Sequence, residues 1–455
     1  MIEIIVQKEK MLYNVYHLVK AFYPSEELQT RVEEKASTFV GVFFEEGASF
    51  LSDTEVKKDL DQELYQFLSD KTKRVLDWGV LQGVRPSKLA MKKVEEGMEK
   101  SDFITHIGEE RLVSKQKAEL IYEIAKRERQ IMKPLDLQRG WSLYVGIPFC
   151  PSVCTYCSFS SGSVKEYEAY IEDYVDALCM EIRSLKEVVK ERKLNTIYIG
   201  GGTPTSLTAE QLEKLCRCIE DTFSFEDLLE YTVEAGRPDS ITKAKLEVLK
   251  RFKVSRISIN PQSMQQKTLD IIGRNHSIES VNETFYLARE VGFDNINMDL
   301  IMGLPGEGVE EARDTLEKIK TLGPESLTIH SLAIKRVAQL TKQEIDGKTV
   351  EKMLELGREY ASVMGLRPYY LYRQKNIAGN FENTGYAKVD KEGLYNILIM
   401  EEKQTILACG AGATSKIVLE KEKDNLIRIG NVKNIREYIT RIEQIVKGKG
   451  DIQWH

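Results

Sequence analysis

The chain has 455 residues, a net charge of −6, 42% hydrophobic residues and 30% charged residues, which is typical of a soluble globular protein of two or three domains. This mildly acidic balance excludes the concentrated basic face that non-specific binding of nucleic acid requires. The sequence has no apolar run long enough to span a membrane and no signal peptide, so we expect a cytoplasmic protein.

Residues 1 to 135 differ in pattern from the rest and predict a separate amino-terminal α/β domain. Short apolar runs at Ile2–Val6 and Thr38–Phe44 indicate strands, and the charged stretch Ser114–Met132 has helical spacing. Glycines and a proline interrupt the basic segment Trp78–Lys88, which predicts a loop. That loop is either a surface turn or a docking site for a partner or an anionic group.

From residue 141 onward, short β-branched runs alternate with longer stretches of helical spacing. The alternation predicts six β-then-α units, and therefore an α/β fold with a parallel sheet. Because the strands read as nearly continuous apolar runs, both faces should be covered, as in a barrel or a doubly wound sheet. The predicted strands are Ser142–Ile147, Asn195–Gly200, Leu229–Ala235, Val254–Asn260, Asn295–Met302 and Glu325–Ser331. The predicted helices are Tyr167–Arg192, Ala209–Phe223, Lys243–Phe252, Ile278–Val291 and Glu310–Leu322.

The alternation then stops, and residues 332 to 455 predict a mixed α/β extension. We expect two antiparallel strands at Gly393–Met400 and Gln404–Cys409, and a terminal helix near Ile435–Val446. The glycines of Cys409–Ala413 lack the third glycine and the later acidic residue of a dinucleotide-binding turn. We therefore do not expect this segment to bind a dinucleotide.

Polar residues and glycines collect where the six predicted strands end. The carboxyl ends of parallel strands meet at one edge of a sheet or one mouth of a barrel, where active sites assemble. We therefore expect one site, built from the segments that follow the strands in chain order: Cys150–Cys157, Gly200–Pro204, Glu234, Asn260 with Gln262, Asp299, and His330 with Ser331.

Three of the seven cysteines, Cys150, Cys154 and Cys157, lie in one short segment, whereas the other four are scattered and are expected to be small buried hydrophobes. Thiolates select zinc or iron–sulfur clusters. A structural zinc site needs four protein ligands, and the sequence has no second pair with zinc spacing. Three thiolates suit a [4Fe–4S] cluster with one open iron for a substrate or cofactor.

The glycine run Gly200–Pro204 lets a ligand lie directly on the backbone, and the lack of a following lysine disfavours a nucleoside triphosphatase. Glu234 and Asp299 supply carboxylates that suit an amine and a ribose diol, and Arg274 suits a carboxylate. Each of these three, taken alone, is equally well explained as a solvated or ion-paired side chain.

Four segments together resemble the radical S-adenosylmethionine (SAM) enzymes of the oxygen-independent coproporphyrinogen III oxidase group: Tyr144–Phe159, Gly200–Thr205, Arg256–Gln262 and Met298–Pro305. The coproporphyrinogen dehydrogenase branch of that group shares the Cys-Ser-Phe ending of the cysteine motif and an added amino-terminal domain. The resemblance implies three regions: an amino-terminal domain of unknown role over residues 1–135, a partial (β/α)6 barrel over 141–331, and a substrate-covering region over 332–455. It also implies that Cys409–Ala413 is a turn that closes the barrel near the substrate.

The resemblance also implies that Cys150, Cys154 and Cys157 hold a [4Fe–4S] cluster whose open iron is chelated by SAM. Tyr144, in the same motif, would belong to the catalytic residues. The residues implied to contact SAM group by the part of the cofactor that they meet: Tyr156 and Ala333 at the adenine, Gly200, Gly201, Gly202, Thr203 and Glu234 at the methionine amine, and Gln262, Arg274 and Asp299 at the carboxylate and ribose.

In that family a 5′-deoxyadenosyl radical takes hydrogen from a porphyrinogen propionate, and loss of carbon dioxide and one electron leaves a vinyl group. The implied activity is oxidative decarboxylation of coproporphyrinogen III to protoporphyrinogen IX in heme biosynthesis, with an external electron donor such as flavodoxin or ferredoxin. Heme-binding chaperones and heme-degrading radical methyltransferases remain alternatives. Gly146 replaces a histidine of many relatives, and Phe159 replaces a fourth cysteine of the oxidases.

A tetrapyrrole has an apolar face and anionic propionates, and the segment Arg367–Tyr386 combines aromatic rings with cations and amides. We interpret this segment as the tetrapyrrole-binding part, with Arg373, Lys375 and Asn376 as substrate contacts. The alternative is an ordinary hairpin with exposed tyrosines.

Overall fold

The computed structural model describes residues 1–24, 26–157, 161–332, 347–374, 381–419, 426–450 and 452. Its amino-terminal part begins with a small sheet whose strands alternate with helices, and it continues with three further helices. The strands are β1 (Ile2–Val6), β2 (Leu28–Val32), β3 (Val40–Phe44) and β4 (Ser49–Ser52). The helices are α1 (Glu9–Phe22), α2 (Lys57–Thr72), α3 (Ser87–Glu95), α4 (Lys100–Arg111) and α5 (Lys115–Met132).

Two hydrophobic cores support this part. In the sheet, ordered β2-β1-β3-β4, alternate residues of β1 are buried, so its apolar face packs with α1 and α2 in a core drawn from residues 2 to 80. A second core joins residues 78 to 132 to residues 369 to 398 of the carboxyl-terminal part. The predicted domain limits near residues 135 and 332 stay predictions.

The central part confirms the predicted alternation of strands and helices. All six predicted strands form, with ends shifted by at most two residues, whereas the first long predicted helix is shorter. The strands are β5 (Gly140–Ile147), β6 (Phe149–Cys150), β7 (Gly162–Ser163), β8 (Lys193–Gly201), β9 (Glu230–Gly236), β10 (Arg256–Ile259), β11 (Ile296–Met302) and β12 (Ser326–Ser331). The helices are α6 (Val164–Tyr167), α7 (Ile171–Ser184), α8 (Ala209–Thr222), α9 (Lys243–Arg251), α10 (Gln266–Ile271), α11 (Ile278–Val291) and α12 (Val309–Leu322).

The carboxyl-terminal part adds strands to both edges of the central sheet. Its strands are β13 (Arg367–Arg373), β14 (Glu382–Ala387), β15 (Thr405–Cys409), β16 (Thr414–Val418) and β17 (Leu426–Gly430). Its helices are α13 (Gly347–Val363), α14 (Leu394–Glu401), α15 (Ile435–Thr440) and α16 (Ile442–Gly450). The terminal helix predicted near residues 435 to 446 is thus present as two shorter helices.

The large sheet has the order β13-β14-β12-β11-β10-β9-β8-β5-β15-β16-β17 in the described residues. Neighbours from β12 to β15 in this order are parallel, and the outer strands are antiparallel. The sequence predicts Gln404–Cys409 to be antiparallel, which is wrong with respect to the barrel: β15 runs parallel to β5 and is antiparallel only to β16.

The parallel part of the sheet is curved into a partial barrel. Three strand spacings separate β8 from β11, or about 14 Å in a flat sheet. Nevertheless Tyr198 on β8 is close enough to Asp299 on β11 for the carboxylate to affect it electrostatically, and Glu234 on β9 is also influenced by Asp299. The side chains therefore converge on the inside of the curve, which carries largely polar residues, while alternate residues on the outside form the main hydrophobic core.

Helix α14 replaces the strand predicted at Gly393–Met400, and that prediction is wrong. The Glu230 carboxylate, at the start of β9, accepts hydrogen bonds from the backbone N–H groups of Leu394 and Tyr395, and a carboxylate at a helix amino terminus stabilises it. The run is apolar all round, so its periodicity does not distinguish a buried helix from a strand. The helix lies across the amino-terminal end of the barrel and leads the chain to β15.

The basic loop Trp78–Lys88 docks onto the carboxyl-terminal part of the same chain. Arg85 and Lys88 form ion pairs with Glu402, at 2.5 and 3.1 Å, and the Trp78 indole donates to Glu382 at 2.9 Å. Its cations are therefore used in internal contacts. In the described part of the chain, no helix has the length and apolar character needed to cross a membrane.

Candidate active site

The cysteine loop begins where β5 ends and is tied to the glycine run after β8. The backbone N–H of Gly202 donates to the carbonyl of Ile147 at 2.8 Å, and that of Thr203 donates to Phe149 at 2.7 Å. The Thr203 hydroxyl then lies 3.5 Å from the Cys150 sulfur, to which it donates. Burial raises the pKa of the Cys150 thiol, and the two other thiols of the loop add to the rise.

A buried arginine that we did not predict holds the middle of the loop. Arg237 follows β9 and donates to the Ser152 carbonyl at 2.9 Å, to the Ser152 hydroxyl at 2.7 Å and to the Cys154 sulfur at 3.8 Å. Its guanidinium also forms a two-point ion pair with Asp239, at 2.9 and 2.6 Å. The loop is therefore fixed at Cys154 by a cation.

The second cation at the loop is Arg274, a predicted site residue. Its guanidinium donates to the Tyr156 hydroxyl at 3.1 and 3.2 Å and to the Asn260 carbonyl at 2.7 Å. These contacts connect the cysteine loop to the end of β10. Since a guanidinium has five N–H groups, donors remain for an anionic ligand.

The glycine run leaves no room for side chains. A Cβ on Gly200 would lie 2.8 Å from a carboxylate oxygen of Glu234, and one on Gly202 would lie 2.6 Å from the Phe149 carbonyl oxygen. Gly201 has a φ of +110°, a backbone conformation that favours glycine. The run therefore passes close to the cysteine loop and to Glu234 because it lacks side chains.

Glu234 lies at the end of β9 above a stack of tyrosines. The Tyr198 hydroxyl donates to it, and the rings of Tyr144 and Tyr395 stack with that of Tyr198, with centroids 6.3 and 4.4 Å away. Burial raises the pKa of Glu234 to about 7, to which the Asp299 carboxylate also contributes. The rings fill the barrel interior beneath Glu234.

Two polar groups that follow β10 have no partner within the protein. The side-chain oxygens of Asn260 and Gln262 are buried without a hydrogen bond, which is costly unless a ligand or water supplies donors. Gln262 also has a φ of +67°, in the left-handed region that residues other than glycine rarely adopt. Such orphaned acceptors and strained backbone are typical of binding sites.

Asp299, on β11, belongs to a short polar chain. The Asn297 side chain donates to one of its oxygens at 2.7 Å, and the His330 ring lies 3.8 Å from the other. The Tyr372 hydroxyl in turn lies 3.3 Å from the other ring nitrogen of His330. Burial alone would raise the pKa of Asp299, but His330 and these hydrogen bonds hold it below its ordinary value. Asp299 and Glu234 are therefore two neighbouring carboxylates with opposite pKa shifts.

The residues present fit an iron–sulfur cluster and a polar cofactor. The donors in the loop are three thiols without an imidazole or carboxylate, which is the ligand set of such clusters. Within the described ranges, no three His, Cys, Asp or Glu side chains surround a single metal-ion position; a cluster does not need this, since each thiolate binds a different iron. The orphaned oxygens of Asn260 and Gln262 would supply acceptors for such a cofactor.

The structure brings most of the predicted site residues to this end of the barrel, but Arg373 points elsewhere. On β13, Tyr372 faces His330, so the next residue faces the opposite side. The Arg373 guanidinium lies 5.1 Å from the Trp78 ring and donates to the Leu81 carbonyl at 2.6 Å. Its assignment as a substrate contact stays a prediction. Three predicted contacts and one noted departure lie outside the described residues: Ala333, Lys375, Asn376 and Phe159.

The departure at Gly146 coincides with a close backbone approach. Its carbonyl accepts a hydrogen bond from the Tyr174 hydroxyl at 2.7 Å, and a Cβ on Gly410 would lie 2.5 Å from the same oxygen. The predicted closing turn at residues 409 to 413 therefore lies directly against β5, beside the cysteine loop.

Sequence reasoning missed three contributors to this site: Arg237, Tyr198 and Tyr395. Tyr198 lies two residues before Gly200 and so on the same face of β8, a signal that marks it as facing the site. Arg237 lies three residues after Glu234, in the turn that follows β9. Tyr395 had no such signal, because its helix was predicted as a strand.

A cavity of about 1080 Å³ lies at the opposite end of the barrel, between α5 and the start of β13. It is lined by charged side chains of α5 and by Leu229 and Leu394. Because both leucines lie at the amino-terminal end of the barrel, this cavity is separate from the cysteine loop.

The barrel, with a three-thiol loop after its first strand, has the features of the Radical SAM superfamily, whose profile matches residues 144–319. The chain is 40% identical over 431 residues to the oxygen-independent coproporphyrinogen-III oxidase-like protein HemZ of Bacillus subtilis, covering 92% of this chain and 85% of that protein. The chain therefore belongs to the radical SAM family of oxygen-independent coproporphyrinogen-III oxidase-like proteins.

Two further similarities bear on this family. The heme chaperone HemW of Bacillus subtilis is 30% identical over 311 residues, which cover 67% of this chain and 76% of that protein. The solved structure of coproporphyrinogen III oxidase (HemN) from Escherichia coli, described as a radical SAM enzyme, aligns with a TM-score of 0.54 and 22% identity over 70% of this chain and 72% of that one. This structural similarity shows the fold.

Proposed function

We propose that the chain is a radical SAM oxidoreductase that decarboxylates two propionates of coproporphyrinogen III to give protoporphyrinogen IX. Cys150, Cys154 and Cys157 would hold a [4Fe–4S] cluster, and SAM would lie across the carboxyl ends of the strands. A low-potential external donor such as flavodoxin or ferredoxin would supply the electron.

One observation carries the cofactor part of this proposal. The three-thiol loop lies beside a glycine run without side chains, and Arg274 connects it to the segment that carries the buried acceptors of Asn260 and Gln262, which have no partner in the described protein. A cofactor with an amine, a carboxylate and a ribose supplies the donors that these groups lack. The substrate class is taken from the names of the relatives, since HemZ and HemN are both named for coproporphyrinogen III oxidation.

A [4Fe–4S] cluster held by Cys150, Cys154 and Cys157 would, when reduced, supply the electron for cleavage of SAM to a 5′-deoxyadenosyl radical. The chain's own residues bind and orient the cofactor. Glu234 would accept from the methionine amine, and Asp299, whose pKa is held below its ordinary value by His330 and by hydrogen bonds, would accept from the ribose hydroxyls. Arg274 pairs with the methionine carboxylate while it holds Tyr156 in place.

The tyrosines beneath the site exclude water from its floor. Tyr144, Tyr198 and Tyr395 fill the barrel with stacked rings, so we expect an incoming substrate to approach the cofactor from the loop side. There each of the two propionates would give one hydrogen atom from its β-carbon to the 5′-deoxyadenosyl radical, which becomes 5′-deoxyadenosine. The propionate's carboxylate would leave as carbon dioxide, and one electron would pass to an external one-electron acceptor. The remaining two carbons form the vinyl group.

A second function is favoured by one observation, the 30% identity to the heme chaperone HemW over 76% of that protein. A chaperone of this kind would bind finished heme without turnover. The same thiol loop and barrel serve either function, so the distinction lies in what happens to the tetrapyrrole.

The deciding experiment is anaerobic incubation of reconstituted protein with coproporphyrinogen III, SAM and a reductant, followed by mass spectrometry. We expect the loss of two carbon dioxide units per porphyrinogen. Unchanged porphyrinogen together with stoichiometric heme binding would instead support the chaperone. A methylated, opened tetrapyrrole formed from heme would indicate a heme-degrading methyltransferase and would contradict both.

A further inference from the structure

We propose that Arg237 is a positioning residue that fixes the cysteine loop at Cys154 and raises the reduction potential of the cluster bound there. The inference rests on the proposed function, since it requires a [4Fe–4S] cluster on the loop. It adds a residue and a role that the family motifs in this sequence do not contain.

Arg237 makes several contacts to the cysteine loop through one side chain. Arg237 is only 3% exposed, and its Nη1 donates to both the carbonyl and the hydroxyl of Ser152 as well as to the Cys154 sulfur. Ser152 and Cys154 flank Val153, which is exposed at the tip of the loop. One guanidinium therefore holds both sides of the exposed tip.

The Arg237 guanidinium is itself held in place by the surrounding chain. Gly236 has a φ of +63°, which turns the chain directly after β9 and directs Arg237 toward the loop. Asp239 binds the far side of the guanidinium through both carboxylate oxygens, at 2.6 and 2.9 Å. A side chain fixed at two points in this way is pre-organised, so it loses little freedom when it donates to the sulfur.

The charge on the Cys154 sulfur would change when a bound cluster is reduced. A cluster that takes up one electron becomes more negative, and part of this charge lies on its thiolate ligands. A donor and a cation next to a ligand sulfur stabilise the reduced state more than the oxidised one, which raises the reduction potential. Arg274 reaches the same loop differently, through the Tyr156 hydroxyl.

The test compares three variants of the full chain, each reconstituted with iron and sulfide under anaerobic conditions. Arg237→Gln removes the charge and shortens the donor, and Arg237→Lys keeps the charge without the planar fork. The matched control is Arg251→Gln, because Arg251 forms an ion pair with Glu213 at 2.6 Å on the surface, where it is 56% exposed. The readouts are iron content and the midpoint potential from a redox titration followed by electron paramagnetic resonance.

We expect Arg237→Gln to bind iron as the wild type does but to have a more negative midpoint. The equilibrium constant for reduction should fall about tenfold, the size of one lost charge-assisted hydrogen bond, which corresponds to about 59 mV for one electron. Arg237→Lys should recover part of the shift, and Arg251→Gln should match the wild type.

Two results would overturn the inference. One is a wild-type midpoint in Arg237→Gln protein with full iron content. The other is a loss of iron from Arg237→Gln together with a lower thermal unfolding temperature of its cluster-free form, since Arg237 would then only stabilise the fold. A wild-type protein that binds no cluster would instead contradict the proposed function itself.

Discussion

Two glutamates of the same strand, four residues apart, contrast the two ends of the barrel. Glu230, at the start of β9, is buried and accepts from the backbone N–H groups of Leu394 and Tyr395 and from the Thr232 hydroxyl. Glu234, at the end of β9, accepts from Tyr198 and lies against the side-chain-free glycine run. Both project from the same face of the strand.

The two carboxylates differ in whether the protein itself supplies hydrogen-bond partners for the polar groups around them. At the amino-terminal end, the first turn of α14 supplies the donors, so the protein itself satisfies the acid and closes the barrel. At the carboxyl-terminal end, the neighbouring Asn260 and Gln262 oxygens have no partner. The same residue type is therefore satisfied by the protein's own backbone at one end, and at the other lies near polar groups that the protein leaves without partners.

The largest expected effect comes from removing one thiol at the carboxyl-terminal end. Cys154→Ala should abolish cluster binding, so that iron falls from about four per chain to a trace and the brown absorption disappears. Iron analysis and the visible spectrum of reconstituted protein measure this. The control is Cys216→Ala, in which a fully buried cysteine outside the loop is removed. Equal iron in Cys154→Ala and wild type would mean that the loop does not hold the cluster.

A pH effect on stability should distinguish Glu234 from an ordinary surface acid. Its pKa is about 7 in the fold against 4.5 ordinarily, so between these values the folded state binds more protons than the unfolded state. The free energy of unfolding therefore falls as pH rises from about 4.5 to about 7, by about 3 kcal/mol, and is level above.

Urea unfolding of SAM-free wild type and Glu234→Gln at pH 5 and pH 8 tests this, because the difference between the two proteins isolates the one group. Tyr198→Phe sharpens the test: it removes a donor to the carboxylate, so the folded-state pKa of Glu234 should rise and the upper limit of the pH window should move upward, while the lower limit stays near 4.5. A constant difference between wild type and Glu234→Gln across the range would show that the acid is ionised throughout.

At the other end of the strand, Glu230→Gln should cost stability. The substitution replaces a carboxylate that accepts two backbone hydrogen bonds, for an expected loss of about 1.5 to 3 kcal/mol of unfolding free energy. The urea midpoint should fall, whereas SAM cleavage per cluster in the folded protein should be unchanged. If cleavage were lost at wild-type stability, the division of roles between the two glutamates would be wrong.

The smallest expected effect comes from Asp299→Ala, which should weaken SAM binding by roughly 1 to 3 kcal/mol through the loss of a charged acceptor. The cluster should remain visible, and calorimetric titration with SAM gives the affinity. The control is Asp294→Ala. Asp294 lies two residues before β11, at the amino-terminal end of the strand, and forms an ion pair with Lys391 at 2.9 Å. Equal SAM affinity in Asp299→Ala and wild type would remove this residue from the site.

The parts of the fold that were predictable are those in which burial and chain order act together. The six predicted parallel strands are largely buried, and polar residues or glycines collect at their carboxyl ends, which meet at the same mouth of the barrel. For that reason Glu234, Asp299 and the glycine run could be assigned to one site from their positions alone.

The parts that were not predictable depend on contacts between distant segments. Helix α14 is largely apolar, and the carboxylate that accepts from its first N–H groups belongs to Glu230, more than 160 residues earlier. Tyr395 joins the tyrosine stack only because that helix lies across the barrel. Arg237 carries no spacing signal, since its role arises from the position of the cysteine loop in space.

The most direct test of the account is the release of 5′-deoxyadenosine from SAM by anaerobically reconstituted, reduced protein. We expect it from the wild type and from Glu230→Gln, a strong reduction in Glu234→Gln, and none from Cys154→Ala. Wild-type protein that holds a full [4Fe–4S] cluster and binds SAM, but releases no 5′-deoxyadenosine with or without coproporphyrinogen III, would contradict it.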